Sequence, residues 1–256
     1  MSPSTRVPAG ATSIGPPAPA LSQMAVNHYR TEGWTWLPSG KDPQFQAAYD
    51  AVLHFWQSEK VQAAQVAANE GGASRGPRLD TWLPNGTVRW QWEKRFLRQT
   101  HHPAVTALAY AEPQEWATAL FGRVATLHEA LIWATLVVPD THHPYMSQCW
   151  HRDEVPPGKG WTQIVKLFWY VTAVTPDSGV FEYVANTHLN DGYVSRTGLH
   201  RYADRQGQAE ALSTHPRKCV LSCPANTWLA ANTQGLHRGG LCTTAPRLSI
   251  SLMYGA

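Results

Sequence analysis

Charge is scarce in this chain. Of 256 residues, 21 are Lys or Arg and 18 are Asp or Glu, 15% in all, for a formal net charge of +3. The basic residues are scattered rather than clustered, which gives little reason to expect nucleic acid or an anionic membrane as partner. Long apolar runs are also missing. Leu131 to Val138 falls short of the roughly 18 residues needed to span a bilayer and has the length of a buried strand. Prolines interrupt Pro8 to Pro19, where a secretory leader needs an apolar core. Cysteine is limited to Cys149, Cys219, Cys223 and Cys242, no disulfide framework, and Cys219-x-x-x-Cys223 lacks a second ligand pair for zinc. Free thiols in a reducing compartment are the plainer reading, so a cytoplasmic location is expected. The sequence has no internal repeat.

What the chain has is apolar material. Hydrophobic residues reach 43%, and 12 of them are Trp, which build either rigid pockets or ordinary core and lid packing. The length suits one large domain. Residues 1–22, rich in Pro and Ala, read as a flexible tail, and 23–256 as the single domain. Asp42-Pro43 opens a helix, with Asp as N-cap and Pro at the first helical position, expected to run to Gly71-Gly72. Pro84-Asn85-Gly86 marks a turn before a strand over Thr87 to Phe96. A second helical stretch spans Pro103 to Leu120, interrupted at Pro113 and closed by Gly122.

Beyond Gly122 the texture becomes short β-branched and aromatic runs: Val124 to Val138, Tyr145 to His151, Trp161 to Val174, Val180 to Val184, Lys218 to Ser222, Thr227 to Ala231 and Leu248 to Tyr254. Helices first and many closely spaced strands afterwards predict a mainly β fold, with helices flanking an antiparallel double-sheet roll. Asn190 to His215 is a long polar interruption, either a lid or a surface loop.

His151-Arg152-Asp153 places an imidazole and a carboxylate at i and i+2, which share a face in extended backbone and can reach one ion. This is the local half of a 2-His-1-carboxylate triad, the arrangement that leaves iron positions open for a co-substrate and oxygen. Alone it is weak: chance supplies about 0.4 such tripeptides in a chain of this composition. His237, after a later strand and its turn, would be the third ligand. Arg247, ten residues on and opening the last strand, would offer a planar two-pronged donor to a distal carboxylate. Each has a plain alternative, a core histidine or a surface charge; their joint order is what chance rarely supplies.

At these residues the chain resembles phytanoyl-CoA dioxygenase-type oxygenases. The likeness lies in His151-Arg152-Asp153, the segment Thr175 to Val184 followed by Thr187-His188, and His237-Arg238-Gly239-Gly240 with Arg247. It runs from about Tyr29 to Tyr254 and is specific from Ser147 onward. It implies a double-stranded β-helix (jelly roll, cupin-like) core, Fe(II) held by His151, Asp153 and His237, and 2-oxoglutarate anchored by Arg247. It further implies an O2-dependent dioxygenase that hydroxylates an unactivated C–H bond of a small-molecule substrate, releasing succinate and CO2. The filled carboxylate position, Asp153, points to hydroxylation rather than halogenation; desaturation or ring formation stays open. One departure is visible: the family usually carries Pro-Gly where this chain has Ala185-Asn186.

Weaker candidates complete the site. On Trp161 to Val174, residues Val165, Leu167, Trp169 and Val171 share one face and Lys166, Phe168 and Tyr170 the other. Lys166 is therefore either a second cation for the co-substrate or a rim residue. Tyr145, Ser147 and Cys149 share the face of His151. Trp90, Trp92, Arg95 and Arg238 are candidate substrate contacts, while His101-His102 and His142-His143 read as surface or loop pairs. The substrate is expected to be an amino acid or natural-product intermediate. Two other readings remain: a metal-dependent cupin-like dioxygenase or isomerase without 2-oxoglutarate, and a non-catalytic jelly-roll binding protein.

Overall fold

The computed structural model describes residues 21–69, 80–83, 86–91, 96–137, 148–189 and 211–256. Helix α1 (Gln23–Glu32) starts where the Ser22 hydroxyl accepts the Ala25 N–H at 3.2 Å. Strand β1 (Trp34–Leu37) and helices α2 (Gln44–Gln57) and α3 (Glu59–Asn69) follow. The N-cap is Pro43 rather than Asp42, and the Asp42 carboxylate, one residue earlier than the cap, accepts the Gln44 N–H at 2.8 Å. One continuous helix from there does not form. The Ser58 hydroxyl donates to the Phe55 carbonyl at 2.8 Å, and its backbone turns extended at φ −61°, ψ 138°, separating α2 from α3. Local hydrogen bonding of this kind makes serine a competitor of the helix. The expected stop at Gly71-Gly72 lies outside the described residues.

The strand expected over 87–96 is instead two, β3 (Gly86–Gln91) and β4 (Phe96–Thr100), preceded by β2 (Asp80–Leu83). Helices α4 (Pro103–Ala109) and α5 (Glu112–Phe121) split at Pro113, and Gly122 closes α5 at φ 72°, a left-handed conformation suited to glycine. Then come β5 (Thr126–Thr135), β6 (Ile164–Tyr170), β7 (Phe181–Val184), β8 (Lys218–Leu221), β9 (Thr227–Ala231), β10 (His237–Gly239) and β11 (Arg247–Gly255). No strand forms over the described part of 145–151; residues 148–150 turn, and His151 makes an isolated bridge to His237.

Two antiparallel sheets result. The larger has the order β1-β9-β6-β11-β5-β4-β3-β2, the smaller β10-β7-β8. This is the double-stranded β-helix architecture, with helices on the outer face of the larger sheet. The alternation of β6 decides the layering. Val165, Leu167, Trp169 and Val171 join the helix-side core with Val52, Phe55, Trp116, Ile250 and Leu252, while Lys166, Phe168 and Tyr170 face the interior of the roll. A second core, including Val180, Phe181, Tyr183, Leu221 and Leu229, lies between the sheets. Among the described residues, no helix is long and apolar enough to cross a membrane.

Candidate metal centre

The bridge between His151 and His237 brings the local and distant parts of the site together. Each backbone N–H donates to the other residue's carbonyl, at 2.9 and 3.0 Å, so the two imidazoles leave neighbouring positions with ring centroids 4.2 Å apart. Asp153 is tied to the same loop by its N–H, which donates to the Thr233 carbonyl at 2.8 Å. Each imidazole also contacts a backbone carbonyl through Nδ1: His151 that of Cys149 at 2.8 Å, His237 that of Gly235 at 2.9 Å. A carbonyl can only accept, so Nδ1 carries a proton and Nε2 is the ring nitrogen turned to the centre, the one a metal would take.

Those Nε2 atoms lie 3.9 Å (His151) and 3.8 Å (His237) from the two Asp153 carboxylate oxygens, and the three ligand atoms fall within 4.8 Å of one another. Burial alone would raise the Asp153 pKa, but Lys166 and both imidazoles offset it and hold the carboxyl well below the usual carboxylate range. Burial, with His151 alongside, pushes His237 down to about 3. The centre therefore presents two imidazole nitrogens and one anionic oxygen, a donor set that fits a divalent cation and keeps its remaining positions open to the cavity.

Thr187 holds the loop that carries His237. Its hydroxyl donates to the Val184 carbonyl at 2.7 Å and accepts the Leu236 N–H at 2.8 Å. The preceding Ala185-Asn186 departure from Pro-Gly preserves a tight turn, since Asn186 adopts φ 68°, a left-handed conformation asparagine tolerates.

The triad opens onto a cavity of about 590 Å³ that also receives Lys166 and Arg247. Arg247 is 9% exposed. Its Nη1 donates to the Gly179 carbonyl and its Nη2 to the Thr135 hydroxyl at 3.2 Å; Nε has no partner among the described residues. Gly179, at φ 78°, lies under the guanidinium, and an added Cβ would come within 2.7 Å of Cys242 Sγ. Arg247 forms no ion pair with a described acid. A buried cation without a countercharge in such a cavity is a binding point for an anion.

The other candidates are placed as follows. Lys166, expected at the co-substrate, puts its ammonium 2.7 Å from Asp153 Oδ2. Arg238, expected at the substrate, lies outside the cavity wall because neighbouring residues of β10 face opposite ways. It pairs with Glu182 at 3.0 Å and packs 4.9 Å from the Trp150 ring. Cys149 does not line the cavity either, since no strand forms there to point it inward; it serves His151 through its carbonyl. Trp92, Arg95, Tyr145, Ser147 and His142-His143 lie outside the described residues, as does the side chain of Trp90. His102 caps α4, accepting the Ala104 N–H at 3.3 Å. Sequence reasoning missed Arg98, His128, Glu129 and Trp133, all on the cavity wall. The alternation of 96–100 could have flagged Arg98; nothing in one sequence pairs it with Trp133.

No protein-family model matches the chain, and no curated protein matches it significantly. Solved structures do. EctD from S. alaskensis, with bound Fe, is 17% identical, with a TM-score of 0.61 over 96% of this chain and 79% of that one. SnoK, a non-haem α-ketoglutarate-dependent carbocyclase from nogalamycin biosynthesis, is 17% identical, with a TM-score of 0.59 over 94% and 87%. The epimerase SnoN, in complex with Fe3+, α-ketoglutarate and nogalamycin RO, is 17% identical, with a TM-score of 0.55 over 91% and 82%. What this chain shares with them is the double-stranded β-helix fold over nearly its whole length.

Proposed function

We propose that the protein is a non-haem Fe(II)- and 2-oxoglutarate-dependent dioxygenase that hydroxylates an unactivated C–H bond of a small-molecule metabolite, with release of succinate and CO2. One observation carries this reading: the cavity joins a complete His-Asp-His donor set to a buried arginine that lacks an acid partner among the described residues. Fold neighbours whose names record iron and α-ketoglutarate support it. Bound at the triad, iron and 2-oxoglutarate would supply the oxygen activation and C–H oxidation that no side chain performs.

The chain's own groups orient and select. His151 and His237 offer Nε2, their rings fixed by the carbonyls of Cys149 and Gly235. Asp153 supplies the negative charge that part-neutralises a dication, with Lys166 holding the carboxylate in place. Arg247, itself fixed by Gly179 and Thr135, takes the distal carboxylate of the co-substrate. The need for that cation argues against a cupin-like enzyme working without 2-oxoglutarate. The neighbours named as carbocyclase and epimerase show that fold does not determine the reaction's outcome. The filled Asp153 position is what favours hydroxylation over halogenation.

Anaerobic addition of Fe(II) and then 2-oxoglutarate should produce a weak visible charge-transfer absorption, and admitting air should release succinate. His151→Ala or Asp153→Ala should abolish both. Wild-type protein that is folded and metal-loaded, yet shows neither signal, would overturn the proposal.

A further inference from the structure

Interior residues of the larger sheet stand in cross-strand rows that run from one end of the cavity to the other. Thr135 and Arg247 face each other in one row, and Trp133, Ser249 and Tyr170 form the next, two residues along their strands. Lys166, which reaches the metal ligand Asp153, lies four residues from Tyr170 on β6, about 13 Å of strand. Tyr170 therefore belongs to the Arg247 end of the cavity. The two are diagonal neighbours on adjacent strands, a relation that long and aromatic side chains can span.

The hydroxyls at this end are not equally engaged. That of Thr135 accepts from Arg247 Nη2 at 3.2 Å, and that of Ser249 donates to the Trp133 carbonyl at 3.5 Å. Tyr170 is 1% exposed and lines the cavity, yet its hydroxyl makes no hydrogen bond with a described residue. The ring is fixed on two sides. Phe168 stacks on it with centroids 6.1 Å apart and planes 7° from parallel, and the Arg247 guanidinium carbon lies 5.9 Å from its centroid. Burial pushes the phenol well above its ordinary pKa, which the nearby guanidinium offsets only in part. It keeps its proton and is a neutral donor. Buried tyrosine hydroxyls take a partner, and at this position the molecule that fills the cavity supplies it.

We infer that the Tyr170 hydroxyl is a second donor to the distal carboxylate of the co-substrate, selecting with Arg247 a dicarboxylic 2-oxo acid over a monocarboxylic one. This rests on the oxygenase reading, in which Arg247 takes that carboxylate. A carboxylate held by a guanidinium keeps lone pairs for further donors, and a phenol beside the cation adds a hydrogen bond without adding charge.

The probe is 2-oxoglutarate, titrated calorimetrically into Mn(II)-loaded protein and compared with 2-oxopentanoate, which carries a methyl group in place of the distal carboxylate. Tyr170→Phe keeps the ring beside Arg247 and removes the hydroxyl alone. It should weaken 2-oxoglutarate about ten- to a hundredfold, the worth of a hydrogen bond to a charged group, and leave 2-oxopentanoate unchanged. Because both donors serve one carboxylate, Tyr170→Phe should cost less in an Arg247→Gln background than in wild type. Unchanged 2-oxoglutarate affinity in Tyr170→Phe overturns the inference. So does an equal loss for both compounds, which would report damage to the cavity as a whole. Wild type that binds 2-oxoglutarate no better than 2-oxopentanoate overturns the oxygenase reading and this assignment with it. The variant can fail while wild type still discriminates, so the two failures are distinct.

Discussion

The ammonium of Lys166 sits 2.7 Å from Asp153 Oδ2, the same carboxylate oxygen that lies 3.8 Å from His237 Nε2. A lysine on β6 and a metal ligand in a loop after a turn thus share one charge. With side chains 17% exposed, the pair is shielded enough that removing one partner leaves an uncompensated charge. Lys166→Met should destabilise the metal-free protein by about 2 kcal/mol. Divalent metal supplies an alternative countercharge, so Mn(II) should shrink the deficit. Thermal melts of both proteins with and without Mn(II) check this; a deficit unchanged by metal would mean that Lys166 acts only through packing.

Stability of the metal-free protein should fall as the solution is acidified, beginning well above the range of ordinary carboxylates. His237 titrates at about 3 when folded against 6.5 ordinarily. Between those values the unfolded chain binds a proton that the folded chain refuses, so stability rises with pH there and is lost on acidification from 6.5 toward 3. The slope is at most about 1.4 kcal/mol per pH unit. Asp153 has the opposite balance of charge, and its depressed pKa stabilises the fold until the pH drops below the ordinary carboxylate value. Chemical denaturation with chelator between pH 4 and 8 should show the slope, and His237→Gln should flatten it.

Arg247→Gln should weaken 2-oxoglutarate by about ten- to a hundredfold, the worth of a charge-assisted hydrogen-bonded pair. Thr135→Val, which removes only the hydroxyl accepting from Nη2, should cost less. Calorimetric titration of 2-oxoglutarate into Mn(II)-loaded protein measures both. Unchanged affinity in Arg247→Gln would remove Arg247 from the co-substrate site.

Thr187→Val should strand the Leu236 N–H and the Val184 carbonyl next to the third ligand, at a cost of about 1–3 kcal/mol. Because Leu236 precedes His237, Mn(II) affinity should fall together with stability. Thr187→Ser, which keeps the hydroxyl, should restore most of both. Equal metal affinity in the valine variant would uncouple this hydroxyl from the centre.

Asn186→Ala should cost about 1 kcal/mol, because alanine at φ 68° is strained, whereas Asn186→Gly should be neutral or slightly stabilising. Melting temperatures of the two variants decide this directly.

By itself the sequence determined which groups are available and which faces they share. Period-two alternation placed Lys166, Phe168 and Tyr170 opposite Val165, Leu167 and Trp169, because that pattern is set by backbone geometry alone. The order His151-x-Asp153, His237, Arg247 named the candidate centre for the same local reason: a tripeptide and a fixed offset can be read without a partner. Relations between strands were decided only by the tertiary structure. The backbone pairing of His151 with His237, the use of Lys166 by Asp153 and the turning of Arg238 toward Glu182 each depend on register between distant segments. Register is fixed by hydrogen bonds and packing that a single sequence does not display. The bulge at His128 shows this most directly: Glu129 keeps the face it shares with Trp133, but the skipped residue before it reverses the alternation, so His128 also lines the cavity and Leu127 turns to the helix-side core.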